Sequence, residues 1–271
     1  MLSVGVAGAG GKMGSLIVRL VVESGDLQLA GALEVPGHPG VGRDAGELAG
    51  KGTTGVRITD GVGQAFDGCT CIVDFTFPDA TLELVRYASH RGKAMVIGTT
   101  GLSEEQREEI SLHARNIPIV VSPNMSVGVN VMFRLVEEVA RILGDGYDAE
   151  VLEAHHRMKK DAPSGTALAL AQAVARGRGV DLAGCARYSR HGNIGERPIG
   201  EIGIQTVRAG DIVGDHTVIF AGPGERIEIV HRAHTRENFA RGALKAARWV
   251  VGRPAGLYSM ADVLEFPHGD R

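Results

Sequence analysis

The run EAHHRMKKDAPSGTA, residues 153–167, combines side chains that can move a proton with backbone that can hold an anion. His155 can give or take a proton near neutral pH, and Lys159 can donate a proton or hold a carboxylate. Gly165 and Thr166 follow a serine that can cap a helix, so their N–H groups would lie at the positive end of the helix dipole. The run predicts a proton donor beside a carboxylate site.

Two other interpretations of this run are a metal site and a patch of solvated charge. If the run begins in a strand, His155 and His156 point to opposite faces and cannot easily bind one ion. Nearby there is no cysteine or spaced set of histidines and acids to complete a coordination sphere, so we expect no metal. Solvated charge is the commoner role of such clusters, but the helix start behind this one favours the anion site.

A glycine turn near the start of the chain predicts a dinucleotide site. An apolar strand is followed by Gly8, Gly11 and Gly14, with Gly10 as an extra glycine, and then by a helix. Such glycines permit a sharp turn and close approach of a pyrophosphate to the helix N-terminus. Glu34 follows Gly14 by twenty positions, at the end of the next predicted strand, where it can accept hydrogen bonds from an adenosine ribose. The alternative is a tight structural turn and a solvated glutamate.

The residues after this acid bear on which nicotinamide cofactor binds. Val35 is apolar where enzymes that prefer a 2′-phosphate often have arginine, although Lys12 in the glycine loop could partly compensate. We expect NADH to bind at least as well as NADPH.

The surrounding elements alternate between short strands and helices of 10 to 15 residues, which is typical of βαβ units with a parallel sheet. Ser103 and Gln106 are spaced as a capping box for one of these helices. Residues 36–55 are too rich in glycine for a long element, so we expect a mobile loop and a short strand at 56–58. The loops at 74–79, 98–101 and 122–130 end predicted strands, where ligands bind in parallel sheets.

The pattern changes after residue 124. A long amphipathic helix and a second helix at about 164–176 precede strands that alternate at period two, so we expect a mostly antiparallel or mixed open sheet. A last helix should carry Phe239, Leu244, Ala247 and Val251 near one face. The fold class is thus α/β, with a Rossmann-like dinucleotide-binding domain (1–126 plus 237–271) and an α+β substrate-binding domain (127–236). We expect hinges near Ser126 and Arg236 and closure of the cleft over both ligands.

Composition narrows the class of protein. The 271 residues are 44% hydrophobic and 23% charged, with a net charge of −3, so we expect neither nucleic acid nor a membrane as partner. The cysteines Cys69, Cys71 and Cys185 are an odd set, and the first two should alternate on a buried strand as small apolar side chains. Together with a start that shows no leader and no long apolar run, this predicts a cytoplasmic protein.

The segment EVLEAHHRMKKDAPSGTA closely resembles the signature of the dihydrodipicolinate reductase family, the 4-hydroxy-tetrahydrodipicolinate reductases of bacterial lysine and diaminopimelate biosynthesis. GAGGKMG, VDFT, GTTG, SPNMSVGVN and TVRAGDIVGDHTV extend the resemblance over essentially the whole chain. It implies hydride transfer from NAD(P)H to a cyclic unsaturated imine that carries two carboxylates, formed by loss of water from the hydroxylated substrate. It also implies a homotetramer, with residues 127–236 as the tetramerisation domain.

The resemblance further implies roles for individual residues. His155 would be the proton donor, Lys159 a second donor, and His156 a substrate contact, while the Gly165 and Thr166 backbone would hold a carboxylate. The residues implied to line the cofactor are Gly8, Ala9, Gly10, Gly11, Lys12, Met13, Glu34, Gly98, Thr99, Thr100, Ser122, Pro123, Asn124 and Met125. Val35 replaces an arginine of some members, and Met125 stands where several have an aromatic residue beside the nicotinamide.

Two other functions compete with this one. The same fold could serve a dehydrogenase or imine reductase for another small amino acid precursor such as aspartate, but the cationic cluster followed by PSGT favours two carboxylates. A catalytically silent NAD-binding sensor would be favoured by loss of His155 or Lys159, and both are present.

Overall fold

The computed structural model describes residues 1–266. Contacts between Cα atoms divide the chain into two compact units. The first unit comprises Met1–Val127 and the residues from Glu237 onward, and the second unit is Gly128–Arg236. The chain passes from the first to the second unit one residue later than predicted and returns at the predicted position. Residues 267–271 of the predicted first domain lie outside the described residues.

Strands and helices are numbered along the chain. The strands are β1 (Leu2–Ala7), β2 (Leu27–Leu33), β3 (Ile58–Thr59), β4 (Cys71–Asp74), β5 (Ala94–Ile97), β6 (Pro118–Val121), β7 (Asp148–His155), β8 (Ala186–Arg187), β9 (Ile202–Arg208), β10 (Asp215–Gly222), β11 (Glu225–Arg232) and β12 (Gly256–Tyr258). The α-helices are α1 (Lys12–Val22), α2 (Ala45–Leu48), α3 (Val62–Phe66), α4 (Pro78–Arg91), α5 (Glu104–His113), α6 (Val127–Leu143), α7 (Gly165–Arg178), α8 (Leu182–Cys185), α9 (Glu237–Val250) and α10 (Met260–Val263), with a 3₁₀ turn at Gly144–Gly146.

The first unit is built on a parallel sheet of seven strands in the order β12-β6-β5-β4-β1-β2-β3. The strand order reverses between β1 and β4, and ligands bind at the carboxyl ends of strands beside such a reversal. Apolar residues cover both faces because helices pack on each side. The predicted α/β class with a parallel Rossmann-like sheet is confirmed.

Helix α9 closes one face of this first sheet. Its side chains Ala240, Ala243, Leu244 and Ala247 are buried in the same core as β1 and β4. Val251 was predicted near the same helix face as Leu244 and Ala247, but it lies beyond the helix and is 36% exposed. Helical periodicity no longer applies there, because the helix ends at Val250 and Gly252 has φ +87°.

The second unit contains a mixed sheet of five strands in the order β11-β10-β7-β9-β8. β10 is antiparallel to both β11 and β7, whereas β9 is parallel to both β7 and β8. The mixed alternative is therefore correct, and a mostly antiparallel sheet is not. One face packs on α6 and α7 around Val151, Val218 and Phe220.

The structure confirms one local prediction and corrects two others. The capping box of Ser103 and Gln106 is present. Cys69 is buried but precedes β4, so the two cysteines do not alternate on one strand. The glycine-rich stretch contains the short helix α2, because the Asp44 carboxylate accepts hydrogen bonds from the N–H groups of Gly46, Glu47, Thr54 and Gly55. A single acid thus organises a stretch that was predicted to be mobile.

Candidate active site

The glycine loop between β1 and α1 has the compactness that a phosphate-binding turn requires. Gly8 has φ +72°, and a Cβ on Gly14 would lie 2.0 Å from the Gly8 carbonyl oxygen. Gly11 is the N-cap of α1 and has no side chain to cap the helix. The first turn of α1, where Lys12 and Met13 lie, therefore offers backbone N–H groups to an anion.

Glu34 joins this loop to the end of β2. Its Oε1 accepts a hydrogen bond from Gly10 N at 2.9 Å, and Oε2 accepts one from Val35 N at 3.1 Å. A cavity of about 180 Å³ opens beside it, lined by Glu34, Val35, Asp60 and Glu83 among others. The acids around this cavity suit ribose hydroxyls better than a phosphate.

His38 is a neighbour of the glycine loop that sequence reasoning missed. A Cβ at Gly10 would lie 2.3 Å from its imidazole Cε1, so the absence of a side chain at Gly10 makes room for this ring. His38 Nδ1 accepts a hydrogen bond from Gly40 N at 3.0 Å, which holds the ring in place. Nothing in the motif spacing indicates this contact.

A buried network links the loops after β4 and β5. Asp74 is fully buried and accepts hydrogen bonds from the hydroxyls of Thr76 and Thr81 and from Thr76 N at 3.0 Å. Thr99 Oγ1 lies 3.2 Å from Asp74 Oδ2, so this predicted cofactor residue turns its hydroxyl into the protein. Burial raises the pKa of Asp74, against the hydrogen bonds from Thr76 and Thr81. Gly98 and Thr100 flank Thr99 in this loop.

The loop after β6 carries Ser122, Pro123, Asn124 and Met125. Ser122 Oγ donates a hydrogen bond to Asn124 O at 2.8 Å, and Asn124 Oδ1 accepts one from Ser126 N at 2.9 Å. Met125 is 1% exposed and packs in the core of the first unit. Contact between Met125 and a cofactor would therefore require this side chain to become exposed.

In the second unit, His155 ends β7 with its ring anchored on one side. Nδ1 lies 2.6 Å from Glu153 Oε2, and the ring packs edge-on against His216 with centroids 5.2 Å apart. The far nitrogen, Nε2, faces the loop at Gly214, where a Cβ would lie 3.1 Å away. Burial lowers the pKa of His155, and the Glu153 carboxylate opposes this only in part.

Lys159 lies in the turn after β7 and is held by an acid. Its Nζ is 2.8 Å from both carboxylate oxygens of Asp161. This ion pair lowers the pKa of Asp161. His156 follows β7 directly, and its Nδ1 is buried without a hydrogen-bond partner among the described residues. A buried nitrogen without a partner is costly, so His156 Nδ1 could gain a hydrogen bond from a bound ligand.

Helix α7 starts at Gly165, where the sequence predicts a carboxylate site. Ser164 is its N-cap, and Ser164 Oγ accepts a hydrogen bond from Ala167 N at 3.1 Å. Gly165, the first residue of the helix, is exposed, and a Cβ there would meet nothing within 4 Å. The backbone at Gly165 is therefore accessible from solvent at the start of this helix.

Sequence reasoning missed three residues that hold these groups together. Glu153, Arg208 and His216 come from three adjacent strands of the second sheet. Period-two alternation could have indicated Glu153, because it shares a strand face with His155 two positions later. The pairing of strands distant in sequence brings Arg208 and His216 to them, and no local pattern shows that.

The described residues contain no group of three or more His, Cys, Asp or Glu side chains that could hold a metal ion. No helix in the range 1–266 is long and apolar enough to cross a bilayer.

Known proteins resemble this chain over almost its whole length. Residues 2–125 match the family model for the dihydrodipicolinate reductase N-terminus, and residues 128–264 match the model for its C-terminus. A 4-hydroxy-tetrahydrodipicolinate reductase from Syntrophobacter fumaroxidans is 55% identical, covering 97% of this chain and 99% of the relative. One from Syntrophus aciditrophicus is 52% identical, covering 98% and 99%.

The fold has a similar counterpart among solved structures. A dipicolinate-bound dihydrodipicolinate reductase from Paenisporosarcina sp. TG-14 superposes with a TM-score of 0.75 at 24% identity, covering 97% of this chain and 98% of the other.

Proposed function

Because the chain belongs to the dihydrodipicolinate reductase family, we propose that it reduces the cyclic imine formed when 4-hydroxy-tetrahydrodipicolinate loses water. The product is tetrahydrodipicolinate, and NAD(P)H supplies the hydride. The reaction belongs to diaminopimelate and lysine biosynthesis. It adds one hydride and one proton across the conjugated system, so the protein must align the substrate and supply the proton.

The arrangement in the second unit is the observation that carries this proposal. A histidine with one anchored ring nitrogen, a lysine paired to a displaceable acid, and a capped helix start all come from the segment between β7 and α7. A ring with two carboxylates needs such cationic and N–H contacts. The dipicolinate bound by the Paenisporosarcina relative is a cyclic dicarboxylate of this kind.

His155 and Lys159 would be the proton donors, and each needs its charged form to act. A substrate carboxylate near Lys159 would compete with Asp161 for the ammonium. His156 would contact the substrate, and Gly165 and Thr166 would hold a carboxylate through backbone N–H groups.

The first unit fits a dinucleotide because its glycines let the turn between β1 and α1 close tightly, and Gly11 leaves the first N–H groups of α1 without a side-chain cap. Gly8 to Met13 would hold the pyrophosphate and Glu34 the adenosine ribose. The loops at Gly98 to Thr100 and Ser122 to Met125 would line the nicotinamide side. When bound, the reduced nicotinamide supplies the hydride.

The direct test is oxidation of NADH or NADPH in the presence of the freshly prepared condensation product of pyruvate and aspartate semialdehyde. We expect loss of reduced nicotinamide that depends on both protein and condensation product. Activity with another amino acid precursor, and none with this product, would favour the alternative dehydrogenase. Cofactor binding without any oxidation would favour the silent sensor.

The cavity beside Glu34 supports NADH as a cofactor at least as good as NADPH. Val35, Asp60 and Glu83 line it, and the two acids would repel a 2′-phosphate. We expect a Michaelis constant for NADH no higher than that for NADPH. A strong preference for NADPH would contradict this, and Lys12→Ala would then show whether Lys12 binds the phosphate.

We also propose a cytoplasmic homotetramer, with the first unit binding the dinucleotide and the second binding substrate and mediating assembly. The support is the second face of the mixed sheet. Leu152, Val207 and Val230 lie there, 37%, 49% and 43% exposed. Apolar residues grouped on a sheet face suit a contact with another copy of the chain.

A further inference from the structure

The Glu153 carboxylate contacts both parts of the proposed substrate site. Its side chain is completely buried on β7. Its donors are His155 Nδ1 at 2.6 Å, Arg208 Nη1 and Nη2 at 2.8 and 2.9 Å, Ser164 N at 3.0 Å, and Thr206 Oγ1 at 3.2 Å. One side chain thus connects the proton donor with the residue that caps α7.

The ionisation of Glu153 decides which nitrogen of His155 carries hydrogen. Burial opposes ionisation, but hydrogen bonds from Arg208 and His155 outweigh it and lower the pKa of Glu153 to about 2. A carboxylate only accepts hydrogen bonds, so His155 Nδ1 must be the donor. In neutral His155 the hydrogen therefore lies on Nδ1, and Nε2 carries no hydrogen.

This tautomer determines how His155 can act. An unprotonated Nε2 can accept a proton but cannot donate one, so His155 is a proton donor at Nε2 only as the imidazolium. The charged and titratable groups around the ring are Glu153, which favours the imidazolium, and Arg208, Lys159 and the neighbouring His216, which disfavour it. Glu153 is the anion among these neighbours.

We propose that Glu153 is the positioning residue for proton transfer: it holds His155 as the Nδ1–H tautomer, so that Nε2 exchanges the proton, and it fixes the start of α7 through Ser164 N. This inference rests on the proposed reductase function and deepens it. Arg208 balances the charge of Glu153 by a two-point ion pair, which keeps the carboxylate ionised.

The test compares Glu153→Gln with Glu150→Gln. Glu150 lies on the same strand but on the opposite face, where it pairs with Arg190 and Arg197, so its substitution removes a similar carboxylate away from His155. Long-range ¹H–¹⁵N NMR reports the His155 tautomer without any need for activity. The pH dependence of kcat/KM reports the proton donor in turnover.

We expect the Nδ1–H tautomer in the wild type and in Glu150→Gln. In Glu153→Gln we expect a mixed or reversed tautomer, a fall in kcat/KM by roughly 10²-fold or more, and a descending limb of the pH profile shifted to lower pH. The Michaelis constant for NADH should be the same in all three proteins. A structural role alone would lower stability without moving the tautomer or the pH profile.

Each other outcome is also informative. Wild-type tautomer and pH profile in Glu153→Gln would overturn the proposal. If Glu153→Gln does not fold, the wild-type spectrum decides, because an Nε2–H tautomer there would equally overturn it. A tautomer change in a protein that reduces no condensation product would leave the positioning role standing and reject the proposed function.

Discussion

At the scale of residues, neighbouring groups set the pKa and the tautomer of the histidine in the proposed site. His155 has an ordinary imidazole, but burial lowers its pKa and Glu153 directs its hydrogen. A dicarboxylate substrate would bring negative charge to the ring and raise that pKa again. The protonated donor is therefore favoured most when substrate is bound.

Replacing His155 with Ala should lower kcat by roughly 10²-fold or more, since a general acid is lost. The pH dependence of wild-type kcat/KM should show activity falling as pH rises through the His155 pKa, because the imidazolium is the donor. His90→Ala is a matched control, since His90 is exposed at the end of α4 in the first unit. Wild-type turnover in His155→Ala would remove this residue from proton transfer.

His216 should make the protein less stable in acid. Burial, together with His155, lowers its pKa to about 3, whereas in the unfolded chain it titrates near 6.5. Between these values the unfolded state binds a proton that the folded state does not, so the free energy of unfolding should fall as pH drops below about 6.5.

Thermal unfolding across this pH range measures the effect. His216→Phe keeps an aromatic ring but cannot titrate, so its melting temperature should fall less steeply with acidification than that of the wild type. Equal slopes would show that other groups account for the acid sensitivity.

At the scale of elements, the ends of strands and the starts of helices supply most of the candidate residues. Their positions were predictable because glycine turns, capping residues and apolar runs are local signals. The bond between Thr99 and Asp74 was not, since it depends on β4 and β5 being neighbours in the sheet. The contact between α9 and the loop at Met125 was not predictable either, because the two lie more than a hundred residues apart in the sequence.

Gly242→Ala should disturb that loop. A Cβ at Gly242 would lie 1.7 Å from the Met125 carbonyl oxygen, so α9 or the loop must shift. We expect a loss of about 1–3 kcal/mol in unfolding free energy, as for other overpacked sites. The Michaelis constant for NADH should rise, because Met125 ends the proposed nicotinamide loop.

Gly63→Ala provides the comparison for this substitution. Gly63 is also helical and in the first unit, but a Cβ there would meet nothing within 4 Å. Chemical denaturation and steady-state kinetics on both variants separate crowding from a general glycine effect. Equal behaviour of the two variants would show that α9 does not control the loop.

At the scale of the whole molecule, the open face of the second sheet bears on assembly. β7, β9 and β11 present Leu152, Val207 and Val230 on this face, while the other face is covered by α6 and α7. A monomer would leave these apolar side chains in water.

Leu152→Glu should therefore break the proposed tetramer into smaller species, because a charge would be buried in an apolar contact. Light scattering coupled to size-exclusion chromatography measures the mass. Ile142→Glu serves as a control, since Ile142 is 66% exposed on α6, away from this face. A wild-type monomer would contradict the proposed tetramer. A tetramer that tolerates Leu152→Glu would show that the subunits contact each other through another surface.

The sequence by itself determined the family, the parallel Rossmann-like sheet and the segment that holds His155, Lys159 and the α7 start. These depend on contiguous residues, whose spacing acts through helix and strand periodicity and through turn chemistry. Only the tertiary structure decided the mixed order of the second sheet, the burial of Met125 and the bonding of Glu153 to Arg208. Burial and hydrogen bonding between distant segments arise from how strands pair, and a linear pattern does not contain that pairing.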